Sequence, residues 1–210
     1  MRSETRINEL VLATRNPDKG VELAALLGDL GIRIRTLAEF PDAPEVVEDG
    51  DTCRANAIKK AVTIARSTGL PAVADDTGLM VDALDGRPGV HAARYAGEHA
   101  TYEDNWRKLL AELHGVPRNK RGARFVTAAA LALSPEDVEV VEGELVGQIA
   151  ETPAGAGGFG YDPVFLIPEL KQTLAELTAQ EKNTISHRAK AFTKLKDLLR
   201  HMAQHDRVGA

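Results

Sequence analysis

Two adjacent carboxylates, Asp75 and Asp76, follow the apolar run Ala72-Val73-Ala74. Glu48 lies upstream in an acidic stretch with Glu45, Asp49 and Asp51, ahead of a segment that carries Lys59 and Lys60. Hard divalent ions such as magnesium take a few carboxylate oxygens and complete their shell with water and substrate phosphates. A carboxylate beside such an ion can hold or deprotonate water. Neighbouring strand residues point to opposite faces, so only one of Asp75 and Asp76 need face a site. The stretch Asp75-Asp76-Thr77-Gly78 reads equally well as a turn at a strand end.

Three further stretches carry chemistry-bearing residues. Residues 14–19, Thr14-Arg15-Asn16-Pro17-Asp18-Lys19, follow an apolar run and open a helical pattern. A helix N-terminus offers backbone N–H groups and partial positive charge to an anion such as phosphate. Asn16 as N-cap and Pro17 at the first helical position account for the same residues without any ligand. The glycines and Lys-Ser/Thr ending of a P-loop are absent. Residues 155–160 match G-x-G-x-x-G, but Thr152-Pro153 precede them and a strand-like run at 164–167 follows, which is the wrong context for a dinucleotide site. Such a loop suits close approach of Phe159 or Tyr161 to a flat ligand, or is simply a glycine loop. Lys182 and Ser186-His187-Arg188 place two cations and a histidine near the start of a helical pattern, where the dipole disfavours cations and an anionic partner would favour them. A solvated basic face is the plainer account. His201 and His205 are four residues apart but lack a third ligand pattern, and Cys53, the single cysteine, reads as a small buried side chain.

The positioning elements follow from periodicity. Residues 10–13 read as a strand, and Leu23, Leu26, Leu27 and Leu30 as a helix stripe closing at Gly31. A second strand is expected at 32–37. A second helix is expected at 52–67, with Ile58, Ala61, Val62 and Ala65 inward, stopped by Gly69 and Pro71. Thr101 and Asp104 form a capping box ahead of a stripe of Tyr102, Trp106, Leu109, Leu110 and Leu113. Residues 123–133 and 138–149 read as a long hairpin around Ser134-Pro135-Glu136-Asp137. Thr178 and Glu181 open one long helix carrying Ile185, Ala189, Phe192, Leu195, Leu199 and Met202.

Helices alternate with strands and one pair is antiparallel, which argues an α/β fold on a mixed sheet. With 210 residues the chain is read as one domain, with loose tails at 1–8 and 206–210. Twenty-six Lys and Arg against 31 Asp and Glu give a net charge of −5, which excludes a broadly basic nucleic-acid binder. The single cysteine excludes a disulfide framework and fits a reducing cytoplasm. No apolar run approaches the ~20 residues of a membrane span.

Four blocks together resemble the inosine triphosphate pyrophosphatase family, which includes bacterial dITP/XTP pyrophosphatases: LVLATRNPDKGVEL at 10–23, LPAVADDTGLMVDALDGRPGVHAARYAGE at 70–98, GGFGYDPVF at 157–165 and LAELTAQEKNTISHRAKA at 174–191. The resemblance covers nearly all of residues 10–200. It implies an elongated mixed α/β fold with two lobes around a nucleotide cleft, a homodimer, and magnesium-dependent hydrolysis of dITP, ITP or XTP to monophosphate and pyrophosphate. It further implies roles by position. Residues Thr14, Arg15, Asn16, Pro17, Asp18 and Lys19 match the first substrate-binding block, and Glu48 the acidic metal position. Lys60 matches the lysine facing the triphosphate, Asp76 the proton acceptor and second metal ligand, and Thr77 a substrate contact. Phe159, Gly160, Tyr161 and Asp162 match the base-binding block, while Lys182, His187 and Arg188 match the remaining substrate contacts. Arg15 stands where glycine is frequent, Thr77 where serine is common, and Cys53 where a bulky apolar residue is usual.

On this reading water attacks the α-phosphorus with Asp76 as base, and lysines offset the phosphate charge. Arg188 or a backbone N–H meets the 6-oxo purine edge, and Phe159 stacks on the base. The rivals are a Maf-like nucleotide pyrophosphatase, disfavoured by the Ser-His-Arg and Phe-Gly-Tyr-Asp blocks, and a non-catalytic nucleotide-sensing module, disfavoured by an intact acidic set. The reading requires Glu48 and Asp76 to lie close together and Lys19 and Lys60 to share a cavity.

Overall fold

The computed structural model describes residues 7–205, with side chains through residue 202. The tails expected at 1–8 and 206–210 fall outside these residues except for Ile7 and Asn8.

The first apolar run forms strand β1 (Glu9–Leu12), buried from Leu10 onward. Asn16 then caps helix α1 (Pro17–Leu27) through its side-chain oxygen, with Pro17 in the first turn. This helix ends at Leu27, not at Gly31 as the stripe suggests. Gly28 closes it, and Leu26 and Leu30 reach the core from half-buried positions. Strand β2 (Arg33–Thr36) pairs parallel with β1, Leu10 opposite Ile34. Helix α2 (Cys53–Thr68) is capped by the Thr52 hydroxyl and closed by Gly69 in the left-handed region, φ 69°. Its buried face is turned from the expected one. Asn56, Ala57, Lys60, Ala61, Ile64 and Ala65 are buried, while Ile58 and Val62 are half-buried. Counting only apolar residues misplaced the face because two polar side chains find partners inside.

Strand β3 (Ala72–Val81) runs ten residues. Asp75 and Asp76 therefore sit inside a strand and form no turn. Lysine partners let the strand carry two buried carboxylates through without stopping. A two-residue strand β4 (Pro88–Gly89) pairs antiparallel with β3. Helix α3 (Tyr102–Glu112) has the expected Thr101/Asp104 capping box. The expected hairpin strands are β5 (Gly122–Ala132) and β6 (Val138–Ile149), followed by β7 (Phe165–Ile167) and β8 (Gln172–Thr173). The eight strands among the described residues form one mixed sheet in the order β2-β1-β3-β5-β6-β7-β8, with β4 on β3.

The single C-terminal helix expected from Thr178 is two. Helix α4 (Ala179–Ile185) ends at Ser186, whose extended backbone (ψ 155°) breaks the run. The Ser186 hydroxyl then accepts from the Ala189 N–H and caps helix α5 (His187–His205). Among the described residues no helix is long and apolar enough to cross a membrane.

The chain divides into two compact units. The first takes in the described residues up to Asp76, residues 128–142 and those from Lys190 onward. Its core joins Leu10, Leu12, Leu23, Leu27, Val73 and Leu131 to Phe192, Leu195 and Leu199 of α5. The second takes in residues 77–127 and 143–189. Its core joins Leu79, Val81, Leu109, Leu113, Phe125, Ile149, Tyr161 and Phe165.

Candidate active site

In the first unit, α2 and β3 bring acids and lysines together. The Lys60 ammonium donates to Glu48 Oε1 at 2.8 Å and lies 3.4 Å from Asp76 Oδ1. Glu48 and Asp76 thus share one ammonium. Lys19, in the first turn of α1, pairs with Asp75 Oδ2 at 3.3 Å. The two aspartates each have a lysine, one from α1 and one from α2.

Burial pushes the Asp76 carboxyl above the ordinary range, against the charges of Lys60 and Lys19. Burial also works upward on Glu48, but the charge and hydrogen bond of Lys60 outweigh it and hold Glu48 below its ordinary value. Burial works downward on Lys60, yet Asp76, Asp75 and Glu48 raise it above the usual lysine value, so it is an ammonium at neutral pH. Cys53 is buried as expected. Its thiol is pushed up to about 12 by burial and by the neighbouring Asp76, which leaves it a weak nucleophile.

Asn56 is a member of this cluster that sequence reasoning missed. Its Nδ2 donates to Asp76 Oδ2 at 3.2 Å, and its Oδ1 accepts from the Gly50 N–H at 2.8 Å. A side chain at Gly50 would lie 2.7 Å from that oxygen, so glycine is what allows the loop after Glu48 to sit on α2. The available signal was one asparagine four residues before Lys60, on the same helical face.

The turn at residues 14–19 shows the helix cap expected of Asn16 and Pro17. Asn16 Oδ1 accepts from the N–H groups of Asp18 (2.9 Å) and Lys19 (3.2 Å), and the Gly20 N–H goes to Asn16 O. Pro17 has no N–H, so the first turn spends its donors on its own cap. The Asn16 N–H meets the Thr14 hydroxyl at 3.2 Å, Asp18 is exposed, and the Arg15 guanidinium donates to the Ala43 carbonyl at 2.6 Å. From this turn it is the Lys19 ammonium that reaches the carboxylates.

In the second unit, buried cations gather on an aromatic ring. Lys182 Nζ lies 4.8 Å and Arg188 Cζ 5.4 Å from the half-buried Phe159 ring centroid. Both cations are almost wholly buried. Lys182 sits in the last turn of α4, where the dipole favours it, and its anionic partner is internal: Asp162 Oδ2 at 2.6 Å. The same oxygen accepts from the Phe159 N–H at 2.8 Å. A Cβ on Gly158 would collide with the Asp162 carboxylate, and φ is +67° there, so this glycine is required. Gly160 is also left-handed, at φ +65°. Tyr102, read as a helix-stripe residue, is 40% exposed and packs at 5.8 Å on Phe159.

Tyr161 is buried. Its hydroxyl donates to the Ala92 carbonyl at 2.8 Å, its ring belongs to the core, and burial raises its pKa. His187 packs on Phe125 at 4.5 Å and contacts Thr127. Arg188 donates to the Thr77 hydroxyl at 3.2 Å. His201 Nδ1 lies 2.7 Å from the Asp197 carbonyl, and the His205 side chain is outside the described residues.

Among the described residues, no three His, Cys, Asp or Glu side chains are gathered to hold a metal ion. Glu48 and Asp76 are the carboxylates here that could hold one, with hard oxygens of the kind that magnesium takes along with waters and substrate phosphates.

Comparison with known proteins places these clusters in context. The model of the Ham1 family matches residues 10–198. The chain is 53% identical over 189 residues to a dITP/XTP pyrophosphatase from Geobacillus kaustophilus, covering 90% of this chain and 93% of that protein. A HAM1 protein structure from Coxiella burnetii superposes with a TM-score of 0.84 at 42% identity, covering 92% and 98% of the two chains. A nucleoside-triphosphatase/dITP/XTP pyrophosphatase structure from Mycobacterium abscessus gives 0.72 at 45% identity, covering 89% and 98%.

Proposed function

The chain belongs to the Ham1 family, and from that membership we infer that it hydrolyses non-canonical purine nucleoside triphosphates, dITP and XTP among them, to the monophosphate and pyrophosphate. Neither the Maf-like reading nor the sensing module is favoured. The observation that carries the chemistry is the Lys60 ammonium held against both Glu48 and Asp76.

Asp76 is the proposed general base. Its raised carboxyl is a better proton acceptor than an ordinary aspartate, and Asn56 fixes one of its oxygens. It takes a proton from the water that attacks the α-phosphorus. Lys60 and Lys19 supply positive charge to the phosphates, and a preorganised ammonium costs no reorganisation as charge grows on the leaving pyrophosphate. Glu48 and Asp76 would hold magnesium, which neutralises phosphate charge when bound. Phe159 offers its ring to the purine, with Tyr102 behind it. Arg188 and His187 supply donors for a 6-oxo edge, with Thr77 holding the Arg188 guanidinium in place, whereas adenine presents an amino donor there. Thr14, Arg15, Asn16, Pro17 and Asp18 shape the turn that delivers Lys19. Gly160, Tyr161, Asp162 and Lys182 shape the loop that delivers Phe159. We place the enzyme in the cytoplasm as a homodimer.

The deciding experiment is turnover of dITP, XTP, dGTP and ATP side by side, with and without magnesium, and with products identified. The expected result is monophosphate plus pyrophosphate from dITP and XTP, lost on chelation. Binding without turnover would instead support the sensing module.

A further inference from the structure

Thr127 lies in the middle of β5 and is fully buried. A threonine hydroxyl in so apolar a run (Ala128, Ala129, Ala130 and Leu131 follow) must find partners inside. It finds two, both close. Thr127 Oγ1 is 2.6 Å from His187 Nδ1 and 2.7 Å from Thr77 Oγ1. Thr77 Oγ1 in turn accepts from Arg188 Nη2 at 3.2 Å. Four side chains from β3, β5 and the start of α5 are thereby joined in one line, all within the second unit.

The line has a direction. A guanidinium only donates, so Arg188 sets Thr77 as acceptor. The atom positions allow either order along the line; the positive charge at Thr77 favours the one in which Thr77 donates to Thr127 and Thr127 donates to His187 Nδ1. An imidazole that accepts at Nδ1 carries its proton on Nε2.

We propose that Thr127 is a positioning residue for purine selection. Its hydroxyl links the Arg188 guanidinium to the His187 ring and fixes His187 as the Nε2–H tautomer, so that both side chains act as donors suited to a 6-oxo purine. The residue touches no substrate itself. This rests on the reading of the protein as a triphosphate pyrophosphatase whose Arg188 and His187 meet the base.

The test compares wild type with Thr127→Val, which keeps the shape and removes the hydroxyl, and with Thr127→Ser, which keeps the hydroxyl. The ratio of kcat/KM on dITP to that on dATP should fall about tenfold in Thr127→Val, the scale of one hydrogen bond. The fall should come through KM for dITP, and Thr127→Ser should restore the ratio. The wild-type imidazole should show Nδ1 unprotonated and Nε2 protonated by 15N NMR, a readout that stands even if Thr127→Val does not fold. A native ratio in folded Thr127→Val, or a protonated Nδ1 in the wild type, overturns the proposal. A wild type that does not turn over dITP removes the underlying reading instead, and with it the proposal, so the two failures are told apart.

Discussion

The two clusters solve the same physical problem, a buried cation, in opposite ways. In the first unit, Lys60 and Lys19 face Glu48, Asp75 and Asp76, and negative charge exceeds positive. In the second, Lys182 and Arg188 flank one aromatic ring, and the carboxylate present, Asp162, is spent on Lys182 and on the Phe159 backbone. The first arrangement is suited to meeting a charged ligand, because one ammonium is shared by two carboxylates and its edge is open, with the Glu48 side chain 35% exposed. The second is suited to holding a shape, because its ion pair is nearly sealed, with side chains 7% and 4% exposed.

That contrast can be broken experimentally. The largest effect is expected at the reactive carboxylate: Asp76→Asn should lower kcat on dITP by about 10²–10⁴ with little change in KM, and an unchanged kcat removes Asp76 as the base. Next, Asp162→Ala strips the partner from a buried lysine and should cost about 3–5 kcal/mol in chemical denaturation. A loss well below that would mean that the second cluster is as open as the first. Arg188→Ala should cut the preference for dITP over ATP roughly tenfold or more, since it removes a charge-assisted donor, and an unchanged preference would take Arg188 out of base recognition.

The smallest effect is a pH-dependent one in the capping boxes. Hydrogen bonds from the hydroxyl and backbone N–H of Thr101 hold Asp104 below the ordinary aspartate value, and the backbone and hydroxyl of Thr178 do the same for Glu181. A carboxyl lowered on folding stabilises above its unfolded pKa, and that contribution is lost as the pH falls through the folded one. The difference in melting temperature between wild type and Asp104→Asn should therefore be full near about pH 7 and shrink below about pH 4, the usual aspartate range.

Much of the scaffold was legible without coordinates. Asn16 and Pro17, Thr101 and Asp104, and Thr178 and Glu181 start helices by local hydrogen bonds, which depend on residues three apart in sequence. The long hairpin was equally plain from its turn residues and apolar runs. Three features that were not legible there share one cause. The buried face of α2, the passage of β3 through Asp75 and Asp76, and the inward turn of Tyr161 all depend on partners far along the chain. Asn56 needs Gly50 and Asp76, the aspartates need Lys19 and Lys60, and the Tyr161 hydroxyl needs Ala92.

The amino-acid sequence alone determined which chemistry-bearing groups exist, the caps and turns that deliver them, and the family pattern they compose. Tertiary structure alone decided which lysine meets which carboxylate, that Asp162 serves Lys182, and that Thr127 joins Arg188 to His187. The physical reason is that a hydrogen-bond cap is a local event, whereas the fate of a buried charge or hydroxyl depends on whichever distant group folding brings within about 3 Å of it.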